Sequence, residues 1–334
     1  MISTLIDDLL TRETAAELPV EAAFEHALRG EFSDAQLAGF LVALRTVQPT
    51  PELLVGAVRA IRAHQTPFPE TQVERIDTCG TGGDGLRTFN VSTAAALVVA
   101  ARGVAVAKHG NRSVSSSTGS ADVLEELGVR IDSTPEQARE NLERDAFCFL
   151  FARDYHPTLA KVAGVRSQLG VRTIFNLLGP LLNPTLARRQ VIGVYDPTLT
   201  EVVARALSEL GTERALVVHC AGLDELGLHA PTIGHEVRDG GVEPFRLDPR
   251  DLGIEAAAPE TLRVENATES AACIRSVLAG EPGPASDIVA LNAGAALFVA
   301  DRADSIAQGV ELARETLADG SARELLARLG GGAR

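Results

Sequence analysis

One change of hydrophobic period limits what this chain can fold into. Through residue 65, apolar residues recur only at helical spacing. Ser33-Asp34-Ala35-Gln36 fits a capping box ahead of Leu37, Phe40, Leu41 and Leu44. Thr50-Pro51-Glu52 places proline at a first helical position ahead of Leu54, Val55, Val58 and Ile61. Thr66-Pro67-Phe68-Pro69 is a stiff, extended break. From Val73 onward short β-rich runs (Arg75–Thr78, Val104–Ala107, Phe147–Ala152, Gln190–Tyr195, Ala215–His219) alternate with helical stretches, which implies a largely parallel sheet. Asp239-Gly240-Gly241, between Ile233–Arg238 and Val242–Leu247, signals a hairpin, and the last ninety residues read as mainly helical. The expected fold is α/β: a small all-helical N-terminal domain over residues 1–70 and a larger α/β/α domain over 71–334 around a mostly parallel central sheet. A helical pattern from Ser167 to Leu178, ending at Gly179-Pro180, interrupts the alternation, so about 167–186 is expected to pack back and join the helical domain.

Composition excludes several classes of function. With 334 residues, 45% of them hydrophobic, the chain can bury a full core. A formal net charge of −14 repels the phosphate backbone of nucleic acid, so no nucleic-acid partner is expected. The apolar run Thr93–Ala101 is too short to span a membrane, and Met1–Arg12, with Asp7 and Asp8, lacks the pattern of a secretory leader. Cys79, Cys148, Cys220 and Cys273 lie far apart without CxxC spacing, as expected of free thiols in a reducing cytoplasm. Only Lys108 and Lys161 are lysines among 31 basic residues, which singles out Lys108 where arginine is the default.

The strongest local signal follows the first strand. Cys79-Gly80-Thr81-Gly82-Gly83-Asp84-Gly85 can take positive φ and turn several N–H groups toward one anion. Gly80, Gly82 and Gly85 also match the G-x-G-x-x-G dinucleotide fingerprint, but that motif needs a helix opening directly on the loop and an acidic residue after the next strand. Here Leu86–Val91 intervene, the helix start is read at Ser92-Thr93, and the second strand ends in cationic Lys108-His109. A nicotinamide cofactor is therefore rejected. Asn90-Val91-Ser92-Thr93 instead offers amides and hydroxyls at a helix N-terminus. The loop Lys108 to Ser120 adds cations and hydroxyls at the carboxyl end of the neighbouring strand, an arrangement suited to separated phosphate groups.

These motifs resemble, in order, those of the anthranilate phosphoribosyltransferases. The match comprises Gly80-Thr81-Gly82-Gly83-Asp84, Thr88-Phe89-Asn90-Val91-Ser92-Thr93, Lys108-His109-Gly110-Asn111-Arg112, His156-Pro157, Val165-Arg166, Gly170 to Pro184, and Gly222-Leu223-Asp224-Glu225-Leu226, and so spans nearly the whole chain. The resemblance implies transfer of 5-phosphoribosyl from phosphoribosyl pyrophosphate (PRPP) to anthranilate, a step of tryptophan biosynthesis, with Mg²⁺ as cofactor and a homodimer formed through the N-terminal helices. It implies that Gly80, Gly83, Asp84, Thr88, Asn90, Val91, Ser92, Thr93, Lys108, His109, Gly110, Asn111, Arg112, Ser113, Val114, Ser115, Ser116 and Ser120 hold PRPP. Gly80, His109, Asn111, His156 and Arg166 are then expected to meet anthranilate, with the Arg166 fork on its carboxylate. Ser92, Asp224 and Glu225 are expected at the metal, and adjacent carboxylates suit Mg²⁺. No general base is assigned. Arg172 reads as a helix-surface or domain-bridging cation. The chain departs from the family pattern at Arg153 and Gly164, where proline is usual, at Ala160, where a basic residue is usual, and at Cys220-Ala221. A pyrimidine nucleoside phosphorylase of the same fold is the nearest rival, and Asp224-Glu225 with Asn111 and Arg166 argue against it. A non-catalytic nucleic-acid binder is opposed by the acidic charge.

Overall fold

The computed structural model describes residues 2–11, 18–112 and 118–330. Four helices come first: α1 (Ile2–Thr11), α2 (Val20–Arg29), α3 (Asp34–Thr46) and α4 (Pro51–Arg62). The capping box at α3 is formed reciprocally, Gln36 N–H donating to Ser33 Oγ and Ser33 N–H to Gln36 Oε1. Thr50 caps α4 through its side chain, with Pro51 at the first helical position.

The chain then alternates through β1 (Arg75–Thr78), α5 (Val91–Ala101), β2 (Ala105–Gly110), α6 (Ser120–Glu126), α7 (Pro135–Asp145), β3 (Phe147–Phe151), α8 (Ala152–Tyr155), α9 (Ala160–Leu169), α10 (Phe175–Leu178), β4 (Arg189–Gly193), α11 (Leu199–Glu209) and β5 (Arg214–His219). The hairpin β6 (Thr232–Arg238) and β7 (Gly241–Leu247) turns through Asp239 and Gly240, both at positive φ as a two-residue primed turn requires. Helices α12 (Ala267–Leu278), α13 (Pro284–Val299), α14 (Ile306–Ala318) and α15 (Ser321–Gly330) follow. None of the described helices is long and apolar enough to cross a membrane.

The seven strands form one sheet in the order β3-β2-β1-β4-β5-β6-β7, parallel through β5 and antiparallel beyond it. The fold is thus the expected one, a helical N-terminal region beside a larger α/β region with a mostly parallel sheet. From β1 the chain steps outward to β2 and β3 and returns to pair β4 on the other side of β1, so the carboxyl ends of β1 and β4 border a topological switch point, where open α/β sheets bind ligands.

Alternation along the strands divides the core. Val191, Leu216 and Val218 face a cluster built with α5 and α12–α15. Ile192, Val194, Ala215 and Val217 face a second cluster shared with α11 and with α1–α4. Val162, Val165, Ile174, Phe175, Leu177, Leu178, Leu181 and Leu182 belong to that second cluster.

Two helix assignments differ from the sequence reading. The helix expected over 167–178 is two: α9 begins at Ala160 and ends at Gly170, whose left-handed φ of 62° terminates it, and α10 spans only four residues. Helix α5 begins at Val91, with Asn90 in the N-cap position making no side-chain cap, while the Ser92 N–H and hydroxyl are engaged across the sheet by Glu225 and Lys108.

Candidate active site

The glycine loop leaves β1 along β4, with Cys79 N–H donating to Val191 O at 3.2 Å and Thr81 N–H to Gly193 O at 2.9 Å. Gly82, Gly83 and Gly85 have φ of 65°, 79° and 82°, a region that side chains disfavour. Asp84 Oδ1 accepts the Leu86 N–H at 3.0 Å and closes the turn. The N–H groups of Gly83, Asp84 and Gly85 take no acceptor among the described residues, so three adjacent amide donors remain for an anion.

Two carboxylates meet this loop from the far side of β4. After β5, His219 donates its Nδ1–H to Val194 O (2.8 Å) and accepts the Gly222 N–H at Nε2 (2.9 Å), which fixes the turn Cys220–Leu223. Buried Asn292 of α13 grips both backbone groups of Leu226, at 3.0 and 2.9 Å. Between these two anchors Asp224 Oδ2 accepts the Gly82 N–H at 2.6 Å, and Glu225 Oε1 accepts the Ser92 N–H at 3.2 Å. Buried Lys108 places its Nζ 2.6 Å from Thr78 O and 3.4 Å from Ser92 Oγ. The approach depends on missing side chains: a Cβ on Gly80 would fall 2.6 Å from Asp224 Oδ2, and one on Gly193 only 1.5 Å from Asp224 O.

Electrostatically the pair is only partly compensated, by Lys108 and by the amides it accepts from. Burial, then the charges of Glu225 and Asp84, holds the Asp224 carboxyl well above the usual range. Burial pushes Glu225 up to about 7, against the pull of Lys108. Among the described residues no three His, Cys, Asp or Glu side chains form a metal cage. Two carboxylates beside an amide cradle nevertheless fit Mg²⁺, which typically takes one or two protein carboxylates and completes its octahedron with phosphate oxygen and water.

A second cluster surrounds two neutral histidines. His109 donates Nδ1–H to Gly179 O at 3.1 Å and His156 donates Nε2–H to Leu182 O at 2.9 Å, since only a protonated nitrogen can face a carbonyl. His109 Nε2 and His156 Nδ1 are left buried without a partner among the described residues, on rings whose centroids are 5.3 Å apart. Burial depresses the two from an ordinary 6.5 to about 3 and about 4. Unfolding restores the ordinary value, so this burial contributes its full stability above about pH 6.5 and loses it as pH falls toward 4. His156→Gln should therefore flatten the acid-side slope of unfolding free energy in urea titrations between about pH 6 and 4.5, an effect an unchanged slope would disprove.

Behind His109 lies Asp77, fully buried. Its Oδ1 accepts the His109 N–H at 3.2 Å and its Oδ2 the Asn183 Nδ2–H at 2.8 Å. Burial pushes it up to about 6, although both oxygens face donors that favour the ionised form. Asn183 cannot flip to help a variant, because its Oδ1 accepts from Thr185 N and Oγ1 and its Nδ2 also donates to Ala107 O. Asp77→Asn must oppose one donor with another. It should cost about 2 kcal/mol in chemical denaturation, and a loss within about 0.5 kcal/mol would contradict the assignment.

The remaining residues singled out in the sequence are placed as follows. Arg166 stacks 5.1 Å over the Phe175 ring, half-buried, with no carboxylate partner among the described residues. Arg112 turns to α6, held by Asp122 at 2.9 Å and by Glu125 at 2.5 and 2.8 Å, and does not bond to the glycine loop. The Asn111 carbonyl accepts from Ala121 N and Ser120 Oγ, and Gly110 is required there because a Cβ would lie 2.1 Å from that hydroxyl. Asn90 Oδ1 accepts from Ser270 Oγ (2.8 Å) and Thr118 Oγ1 (2.7 Å). Thr88 bridges to Arg263, and Val91 and Thr93 are buried in the first turn of α5. Ser113, Val114, Ser115 and Ser116 lie outside the described residues. Gly193, His219, Ser270 and Asn292 support the site and escaped the sequence reading. Asn292, a lone amide in the apolar run Ala290–Leu297, carried the most visible signal of the four.

Comparison with known proteins gives the family. The glycosyl transferase family a/b domain matches residues 72–323, and the helical bundle domain of the same family matches residues 3–65. An anthranilate phosphoribosyltransferase of Symbiobacterium thermophilum is 46% identical over 98% of this chain and 96% of its own. The chain belongs to the anthranilate phosphoribosyltransferase family. The crystal structure of the Thermus thermophilus anthranilate phosphoribosyltransferase superposes with a TM-score of 0.91 at 44% identity, covering 98% of both chains. The Saccharomyces cerevisiae enzyme, solved in complex with PRPP and Mg, shares the fold at TM-score 0.89 and 24% identity, over 99% of this chain and 97% of that one. Where this chain departs from the anthranilate phosphoribosyltransferase pattern, Arg153, Ala160 and Gly164 are all exposed. Ala221 sits in the Cys220–Leu223 turn at a φ of 41°, a left-handed conformation that glycine would adopt without strain.

Proposed function

We propose that this protein is an anthranilate phosphoribosyltransferase, moving 5-phosphoribosyl from PRPP to anthranilate, with release of pyrophosphate, in tryptophan biosynthesis. The observation that carries the reading is the convergence of a glycine-lined amide cradle with the buried Asp224 and half-buried Glu225 carboxylates, around Ser92 and Lys108. Gly80, Gly83, Asp84, Thr88, Asn90–Thr93, Lys108–Arg112, Ser113–Ser116 and Ser120 are assigned to PRPP, and Ser92, Asp224 and Glu225 to Mg²⁺. His109, Asn111, His156 and Arg166, with Gly80, are assigned to anthranilate. The Arg166 fork and the two imidazole lone pairs, without partners among the described residues, support this, since they suit a carboxylate and an amine donor respectively.

In the reaction the amine nitrogen forms a bond to the anomeric carbon as the bond from that carbon to pyrophosphate oxygen breaks. The amine then gives up its proton to solvent water, with no residue of the chain assigned as base. The cradle amides and Lys108 hold the departing phosphates, and positioning of the amine supplies the rest. Ser92, Asp224 and Glu225 would hold Mg²⁺, which would supply positive charge to the leaving pyrophosphate. For organisation we propose a helical unit of residues 1–70 joined by about 167–186 and an α/β unit of 71–334, in a cytoplasmic homodimer; the shared cluster of α1–α4 with Ile174–Leu182 supports the joining. Mixing protein, Mg²⁺, PRPP and anthranilate should extinguish anthranilate fluorescence, and persistent fluorescence with a folded sample would overturn the reading.

A further inference from the structure

Arg172 lies between α9 and α10, in neither the amide cradle nor the histidine cluster, yet it touches three other parts of the molecule. Its Nη2 donates to Gly83 O in the glycine loop. Its guanidinium lies 4.4 Å over the Tyr195 ring, just beyond β4. Its carbonyl accepts Arg45 Nη1–H from α3 at 3.4 Å. Tyr195 is itself tied to the loop, its N–H donating to Thr81 Oγ1 at 3.1 Å.

We infer that Arg172 is a positioning residue that sets the glycine loop for the donor's phosphates. The peptide between Gly83 and Asp84 is planar and trans, so its carbonyl and its N–H point in opposite directions. A guanidinium on Gly83 O therefore aims the Asp84 N–H away from Arg172 and polarises it as a donor. The loop needs such a clip, because glycine loses more backbone freedom on ordering than any other residue, and three lie at positive φ between 82 and 85. Asp224 restrains the Thr81–Gly82 peptide through the Gly82 N–H, so two side chains fix nearby peptides of the cradle. Planarity matters too: a guanidinium can stack on Tyr195 and donate sideways at once, whereas an ammonium cannot. The Arg45 contact makes the clip depend on how α3 sits against α9.

This inference rests on the proposed use of PRPP. Arg172 is exposed, so its variants should fold, which thermal melting checks. With the full-length protein and Mg²⁺, Arg172→Met should weaken PRPP binding in calorimetry, and raise the KM for PRPP, about tenfold, while the KM for anthranilate moves less than about twofold. Arg172→Lys should restore part of the loss. Tyr195→Leu, which keeps every charge but removes the seat, should raise the PRPP KM about threefold. Equal rises in both KM values, or unchanged PRPP affinity in Arg172→Met, would overturn the clip. So would a Tyr195→Leu protein with unaltered PRPP KM, which would mean that the cation grips the donor by itself. A wild-type protein giving no heat with PRPP and Mg²⁺ would instead remove the proposed function, and this inference with it.

Discussion

Asp224→Asn and Glu225→Gln should each lower kcat/KM for PRPP by about 100-fold or more, yet leave thermal stability measured without Mg²⁺ equal or higher. Asp224 is buried and Glu225 half-buried beside it, each raised above its ordinary range first by desolvation, with Asp84 adding like charge. Neutralising either removes a repulsion that the fold otherwise tolerates. The hydrogen bonds need not be lost, because the amide oxygen of Asn or Gln can still accept from Gly82 N–H or Ser92 N–H. What disappears is the negative charge that a hard divalent cation requires. Such a split, activity down and stability not down, is the sign of a site kept for function at a cost in stability. Paired steady-state kinetics and melting curves decide it. Near-wild-type turnover would sink the metal assignment, and a matching collapse of stability would recast the two residues as structural.

The second large effect should come from a residue with no side chain. In Gly193→Ala the new methyl carbon would sit 1.5 Å from the Asp224 carbonyl oxygen, a backbone atom that cannot rotate aside. Either β4 or the Asp224 segment must move, and Gly193 also accepts the Thr81 N–H that starts the cradle. Displacing the loop and the carboxylate together by a few tenths of an ångström should reduce kcat/KM by about 100-fold. Gly164→Ala is the matched control. That glycine lies inside α9 with nothing within 4 Å of its Cβ direction, so alanine should stabilise by up to about 1 kcal/mol without touching activity. Equal activity in the two variants would refute the argument for close approach.

Much of the frame could be read directly because its signals are local. The strand runs are rich in β-branched residues, Thr66–Pro69 breaks the helical pattern, and Asp239-Gly240 admits only a narrow set of turns. The glycine loop was equally legible, since four glycines in six residues have few other uses. What escaped depends on contacts between distant positions. Asn90 meets Ser270 across 180 residues, and nothing near either residue announces it. Gly193 ends an ordinary strand and becomes special only because Asp224 lies against it. The helix start at Ser92 was misplaced because its hydroxyl resembles a cap, while its actual partner is Lys108. Arg112 looked free for phosphate, and two carboxylates one turn apart on α6 hold it in this structure. Gly170 was overlooked as a stop because the apolar spacing continues on both sides of it.

Because α11 and one face of β4 and β5 share a single apolar cluster with α1–α4, the N-terminal quarter of the chain is not a detachable module. Deleting it would expose the apolar faces of α9, α10 and α11 that pack against α2–α4, and leave the remaining chain an oily wall prone to self-association. The boundary drawn at the Pro67–Pro69 break divides the chain in sequence, while in melting the two sides should behave as one cooperative unit.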